Sequence, residues 1–247
     1  MRFCRFLTLA LFAITMSFTA CGDDDSSNSA YNSDEESSSS ACEDCDGSSS
    51  STKSSSSSGV PEGYVDPSTV VKGTMTDERD GQTYKTVTIG TQTWMAENLN
   101  YNTLNSSCSY RDTTKCSEYG RGYSWSAAKN ACPSGWRLPT RGEFEILFTA
   151  IGGQETAGAL LKSSSGWYDN GNGSDAYSFA ALPSGDVNDN GIIDGNEGYS
   201  ANFWSSSESQ TYSEFAIDIS LSYDKDYAAI DSQTWNMRFS VRCVRDE

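Results

Sequence analysis

Cys132-Pro133-Ser134-Gly135-Trp136-Arg137-Leu138-Pro139-Thr140-Arg141-Gly142-Glu143-Phe144-Glu145 carries the reading on which the fold turns. Thr140 is followed three residues later by Glu143, the spacing of a capping box, in which each residue's side chain bonds the other's backbone N–H. Phe144, Leu147, Phe148 and Ile151 then fall at i, i+3, i+4 and i+7, one apolar face of a helix. Gly152-Gly153 ends that helix, and a short one is expected over residues 157–162. Upstream, the Ala-rich residues 124–131 predict another helix, closed before Cys132-Pro133 because proline restricts the residue ahead of it.

Working outward, both flanks read as strands. Residues 70–75 precede Asp77-Glu78-Arg79-Asp80-Gly81, a turn, and residues 83–89 alternate large and polar side chains. Gly90-Thr91 turns again and residues 92–95 follow, so a β-meander opens the domain. Residues 98–121 are rich in Asn, Ser and Thr and are expected as a loop. Cys108 and Cys116 within it are close enough in sequence for a local disulfide. Towards the C-terminus, Phe215, Ile217, Ile219 and Leu221 alternate with polar or small residues, a strand with one wet face. Residues 227–230 and 239–244 supply two more strands. Strands, then helices, then strands without a βαβ rhythm give an α+β class, mostly antiparallel, with two main helices and long disulfide-tied loops.

Composition narrows the function. The 247 residues hold 17 basic and 34 acidic side chains and no histidine, a net charge of −17. Such an acid excess argues against nucleic acid as a partner. Without histidine there is no Ser-His-Asp or Cys-His nucleophile, no histidine general base and no histidine-ligated metal.

The N-terminus reads as an export signal. Arg2 and Arg5 precede an apolar run over residues 6–18, too short to span a bilayer. Phe18-Thr19-Ala20-Cys21 places small residues before a cysteine, so residues 1–20 are expected to be a signal peptide and Cys21 a lipidated N-terminus, anchored in the membrane by its acyl chains. Residues 21–60 are expected as a disordered tether. Seventeen of the 39 residues from 22 to 60 are Ser and nine are acidic, too little apolar surface to offset the entropy of ordering. Such a linker reaches on the order of 35 Å. Asp23-Asp24-Asp25 directly after Cys21 fits sorting to the cell exterior as well as a solvated spacer, and the expected location is an outer-membrane lipoprotein at the cell surface. Cys42-Glu43-Asp44-Cys45 in the tether is expected as a small oxidised loop or a cross-link. Residues 61–247 hold all six Trp and form one domain.

Several blocks carry a family resemblance. Tyr119-Gly120-Arg121-Gly122-Tyr123-Ser124-Trp125, the Cys132-to-Glu145 stretch, Phe203-Trp204-Ser205-Ser206-Ser207-Glu208 and Ser240-Val241-Arg242-Cys243-Val244 resemble the Fibrobacter succinogenes major paralogous domain, from about Thr83 to Asp246. That family is similar to C-type-lectin-like and formylglycine-generating-enzyme-like folds. The resemblance implies an α+β domain whose termini meet in one sheet, with Cys132 paired to Cys243. This bridge would close about 110 residues and stabilise by about 4.8 kcal/mol. The calcium signatures of sugar-binding lectins are not present in the sequence, and the pairings leave no thiol in the domain for formylglycine-type chemistry.

One segment has the spacing of a metal loop. In residues 186–197, Asp186, Asn188, Asn190 and Asp194 stand at positions 1, 3, 5 and 9 of a twelve-residue calcium loop. Gly191 takes the turn, Ile192 offers its carbonyl, and Glu197 closes the loop at position 12. A structural calcium is expected there. The run 169–175, rich in Asp, Asn and Gly, lacks that spacing and reads as turn chemistry. Trp167, Tyr168, Trp204, Tyr212, Tyr223 and Trp235 could stack on sugar rings, and among them Trp167 and Tyr168 are the candidates for an exposed face. The expected function is a non-enzymatic, surface-tethered binding or display module for polysaccharide or another envelope component. The alternatives are an enzyme of the formylglycine-generating kind and a purely structural coat protein.

Overall fold

The computed structural model describes residues 61–109, 112–186 and 196–246. The signal peptide, Cys21, the tether and the Cys42–Cys45 pair lie outside the described residues.

The meander forms where the alternation placed it. Strands β1 (Val71–Thr76), β2 (Thr83–Ile89) and β3 (Gln92–Met95) pair antiparallel, with Val87 opposite Lys72 and Trp94. The first turn is clipped by Asp77, whose carboxylate accepts from the backbone N–H and the guanidinium of Arg79. Strand β10 (Val244–Arg245) joins β3 on one side and β6 (Trp136–Arg137) on the other, giving the order β1-β2-β3-β10-β6. N- and C-terminal segments of the domain therefore share one sheet.

Four helices are described rather than two main ones. The loop over residues 98–121 contains α1 (Thr113–Tyr119), capped by the Asp112 carboxylate and tied through Cys116 to Cys108. The helix expected over residues 124–131 is a single turn, α2 (Trp125–Ala128). Beyond it Asn130 and Ala131 donate to carbonyls three residues back, and the Ala131 carbonyl accepts from Arg79, so the α ladder narrows and stops ahead of Pro133. Helix α3 (Arg141–Ala150) forms with both capping-box bonds, Glu143 N–H to Thr140 Oγ1 at 3.2 Å and Thr140 N–H to Glu143 Oε2 at 2.7 Å. All four residues of its apolar stripe are buried. Helix α4 (Gln154–Leu161) starts three residues earlier than the sequence suggested. A Cβ at Gly158 would lie 2.7 Å from the carbonyl oxygens of Asp226 and Tyr227, so only glycine allows this approach.

Strands β4 (Ser106–Ser107) and β5 (Gly122–Tyr123) form a short antiparallel ribbon, and a second main sheet, β7 (Ser200–Glu208), β8 (Phe215–Ser222) and β9 (Ala228–Thr234), is antiparallel throughout. The strand expected over residues 239–244 is reduced to Val244–Arg245. Phe239 and Ser240 make only single bridges, to Tyr123 and Phe203, as the chain crosses from one sheet to the other. That crossing is held by Arg242, fully buried, which donates to Asn98 Oδ1 and to the carbonyls of Met95, Phe179 and Ala180. Cys243, next to it, is bridged to Cys132.

The core has two parts. One gathers Val87, Ile89 and Trp94 against the α3 stripe, Phe179, Phe203 and Ile219. The other gathers Met95, Leu99, Tyr123, Trp125, Trp204 and Phe239. Neighbours on β3, Trp94 and Met95, feed opposite parts because side chains alternate across a strand.

Candidate functional site

The Ser-rich block around Trp204 owes its form to a bulge. Pairing runs from Trp204–Asp218 to Glu208–Ala216, four residues on in β7 but two in β8, so β7 carries two extra residues there. The Trp204 indole donates to the Tyr123 carbonyl at 2.7 Å, and the Trp125 indole to the Ser205 carbonyl at 2.8 Å. Ser206 N–H donates to the Pro139 carbonyl, and Arg141 N–H to Ser207 Oγ. The blocks that marked the family are thus bonded to one another, and the start of α3 is pinned beside the end of β7.

Past the bulge, the connection between β7 and β8 stands over the start of α3. Ser209 Oγ accepts from the N–H groups of Thr211 and Tyr212, which folds the tip and sets the Tyr212 ring 5.4 Å from Phe215. Between tip and helix lies a partly open groove of about 600 Å3, whose lining includes Arg141, Glu208, Tyr212, Ile217, Ile230 and Asp231. Among the predicted site aromatics only Tyr212 reaches it. The rest went unseen because they come from segments far apart in sequence.

The other predicted residues gather at the opposite end of β7. Tyr168 is 51% exposed and stacks on Tyr199 with centroids 4.3 Å apart. Tyr223 meets both edge-on, at 5.5 and 5.3 Å. Tyr168 N–H donates to the Gly198 carbonyl, so the ring cluster adjoins the end of the 186–197 loop. Trp167 does not belong to this face. It is 5% exposed, its indole donates to Ser163 Oγ and the Ala181 carbonyl, and it packs in the first core, so the expectation of an exposed Trp167 is corrected. An indole with both an apolar body and two acceptors within reach gains by burial. The run 169–175 is turn structure: Asn172 Oδ1 accepts from Trp167 N–H, and Asp175 Oδ1 from Ala180 N–H.

Of the calcium loop, Asn188, Asn190, Ile192 and Asp194 lie outside the described residues. Its two ends converge, since a Cβ on Gly185 would sit 2.8 Å from the Glu197 nitrogen. Asp186 Oδ1 accepts from Asn196 Nδ2 at 2.6 Å. Glu197 is ion-paired with Lys115, which holds that ammonium's pKa above its usual value. The carboxylate at position 12 is thus oriented and already partnered by a cation. Among the described residues no cluster of three or more acidic or cysteine side chains is placed to hold a metal.

One carboxyl is unusual. Asp218, on β8 opposite Asp231 on β9, is 2% exposed and its Oδ1 has no hydrogen-bond partner. Burial, and then the Asp231 charge, pushes it up to about 7.

The sequence matches the model of the Fibrobacter succinogenes major domain over residues 87–245. The chain belongs to that family. Neither the curated proteins nor the solved structures yield a match. The family match runs from β2 to β10 and takes in both ends of β7, the groove and the tyrosine cluster. Membership fixes the domain's kinship, and the family has no specific function assigned to it that could be transferred.

Proposed function

We propose that the domain is a non-enzymatic binding module of C-type-lectin-like fold, lipid-anchored through Cys21 at the cell surface, which recognises polysaccharide or another envelope component through the exposed side of Tyr168. The observation that carries this reading is the Tyr168–Tyr199–Tyr223 cluster. A tyrosine half exposed while its ring is braced by two others presents a rigid apolar face with a polar rim, which suits a sugar ring. The C-type-lectin-like part is supported by the terminal segments sharing one sheet and by the Cys132–Cys243 bridge.

The loop over residues 186–197 takes a structural calcium in this reading, with Glu197 exchanging Lys115 for the ion. Asp186 and Glu197 would hold the ion together with Asn188, Asn190, Asp194 and the Ile192 carbonyl. The metal would fix the loop whose end bonds Tyr168. Against the formylglycine-generating alternative stands the pairing of Cys108 with Cys116 and Cys132 with Cys243, which takes up every cysteine from residue 61 onward.

The test is a pull-down of the oxidised mature chain on insoluble plant polysaccharides, with calcium and with EDTA, alongside Tyr168→Ala. Retention that falls with Tyr168→Ala supports the reading, and its further loss in EDTA ties the calcium to the site. Retention equal in wild type and variant, or no retention on any polymer, overturns the Tyr168 face as the binding surface.

A further inference from the structure

The groove at the far end of β7 has a different character from the tyrosine face. Tyr199 precedes β7 and Glu208 ends it, so the two lie at opposite ends of a nine-residue strand, roughly 25–30 Å apart at the usual rise of a strand. We propose that the groove between the start of α3 and the β7–β8 connection is a second site, which binds a single soluble chain of neutral sugar residues.

The shape comes first. At about 600 Å3 the groove lies within the range of small-molecule sites, and it is partly open to solvent. Its lining is chemically mixed in the way a polyhydroxylated ligand needs. Tyr212, 57% exposed and braced by Phe215, offers a ring for stacking. Ile217 and Ile230, also in the lining, match the apolar C–H faces of a pyranose. Gln210, Thr211 and Ser232 offer both donors and acceptors, and the carboxylates of Glu208 and Asp231 accept from paired hydroxyl groups.

Charge sets the class. Among the described residues Arg141 is the only base lining the groove, and its Nε is engaged by Glu145 Oε1 at 2.7 Å. Two carboxylates against one partnered guanidinium repel an acidic polymer, so a uronate chain is rejected where a neutral one is accepted. The walls are also positioned before any ligand arrives. Ser209 Oγ holds the tip, and Ser207 Oγ holds the start of α3, so little ordering cost remains for binding.

This inference shares the ligand chemistry of the Tyr168 reading but not its site, and the experiment separates them. The oxidised mature chain is titrated by calorimetry with cellohexaose, xylohexaose, mannohexaose and hexagalacturonate. The proteins are wild type, Tyr212→Ala, Gln210→Ala and, as a control on an exposed side chain outside the groove lining, Leu104→Ala, each checked for native circular dichroism. At least one neutral hexasaccharide should bind. Tyr212→Ala should weaken that binding by about tenfold, the size of a lost stacking contact. Gln210→Ala should weaken it a few-fold, Leu104→Ala should leave it unchanged, and hexagalacturonate should bind at least tenfold more weakly. The proposal is overturned if no neutral hexasaccharide binds at millimolar concentration. It is equally overturned if Tyr212→Ala binds like wild type, or if hexagalacturonate binds as well as the neutral chains. Failure of the Tyr168 face shows instead in the retention on insoluble polymer.

Discussion

Arg242 Nε donates to Asn98 Oδ1 at 2.6 Å across 144 residues of sequence, and the same guanidinium reaches the carbonyls of Met95, Phe179 and Ala180. Its ring-facing sides lie over Phe179 and Phe203, 4.8 and 5.5 Å from their centroids. One fully buried cation therefore gathers the end of β3, the loop before residue 181 and the last crossing of the chain.

Arg242→Ala leaves those acceptors buried without partners and should cost about 3–5 kcal/mol. Arg242→Lys should recover little of it, because an ammonium cannot reach in several directions in one plane. Urea denaturation of the oxidised chain, read by tryptophan fluorescence, measures both. A loss below about 1 kcal/mol for Arg242→Ala would contradict the role assigned to it.

The two bridges should differ in worth. Cys132–Cys243 spans 111 residues and Cys108–Cys116 spans 8. In the chain-entropy account they stabilise by about 4.8 and about 2.5 kcal/mol. Paired serine variants of each, compared in the same denaturation experiment, should rank in that order.

Asp218 should make stability fall as pH rises. Its folded pKa, about 7, lies above its unfolded value near 3.8, so the folded state binds the extra proton between them. The contribution is full below pH 4 and is lost as pH rises to 7 and beyond, on the order of 4 kcal/mol from the size of the shift. Denaturation midpoints measured from pH 4 to 8 should decline in wild type and flatten in Asp218→Asn. Equal slopes would remove Asp218 as the cause.

Calcium should stabilise the domain by about 2.7 kcal/mol when present at a hundredfold excess over its dissociation constant. Because Lys115 competes for Glu197, Lys115→Met should tighten calcium binding a few-fold, and Asn190→Ala should abolish it. Thermal melts with calcium and with EDTA report all three, and identical melts in both conditions would remove the ion from the loop.

Much of the fold is written locally. The alternation of residues 83–89 yields β2, and Thr140 with Glu143 starts α3 where the capping-box spacing places it. Both signals depend on neighbours within a few residues, which is why they can be read. Strand β7 was hidden because its bulge breaks the period of two that marks a strand, and α1 because a seven-residue helix in a polar loop shows no apolar stripe.

By itself, then, the sequence determined the α+β class, the opening meander and the start of α3, the missing histidine chemistry and the family. The tertiary structure decided which aromatics meet solvent and where a ligand could lie. Trp167 and Tyr168 are adjacent in the chain, yet one is buried and the other half exposed. Exposure depends on what packs from elsewhere, and no local pattern records it. The groove depends on the same kind of meeting, since Arg141 and Asp231 share a wall only because the β7 bulge pins α3 beside the second sheet.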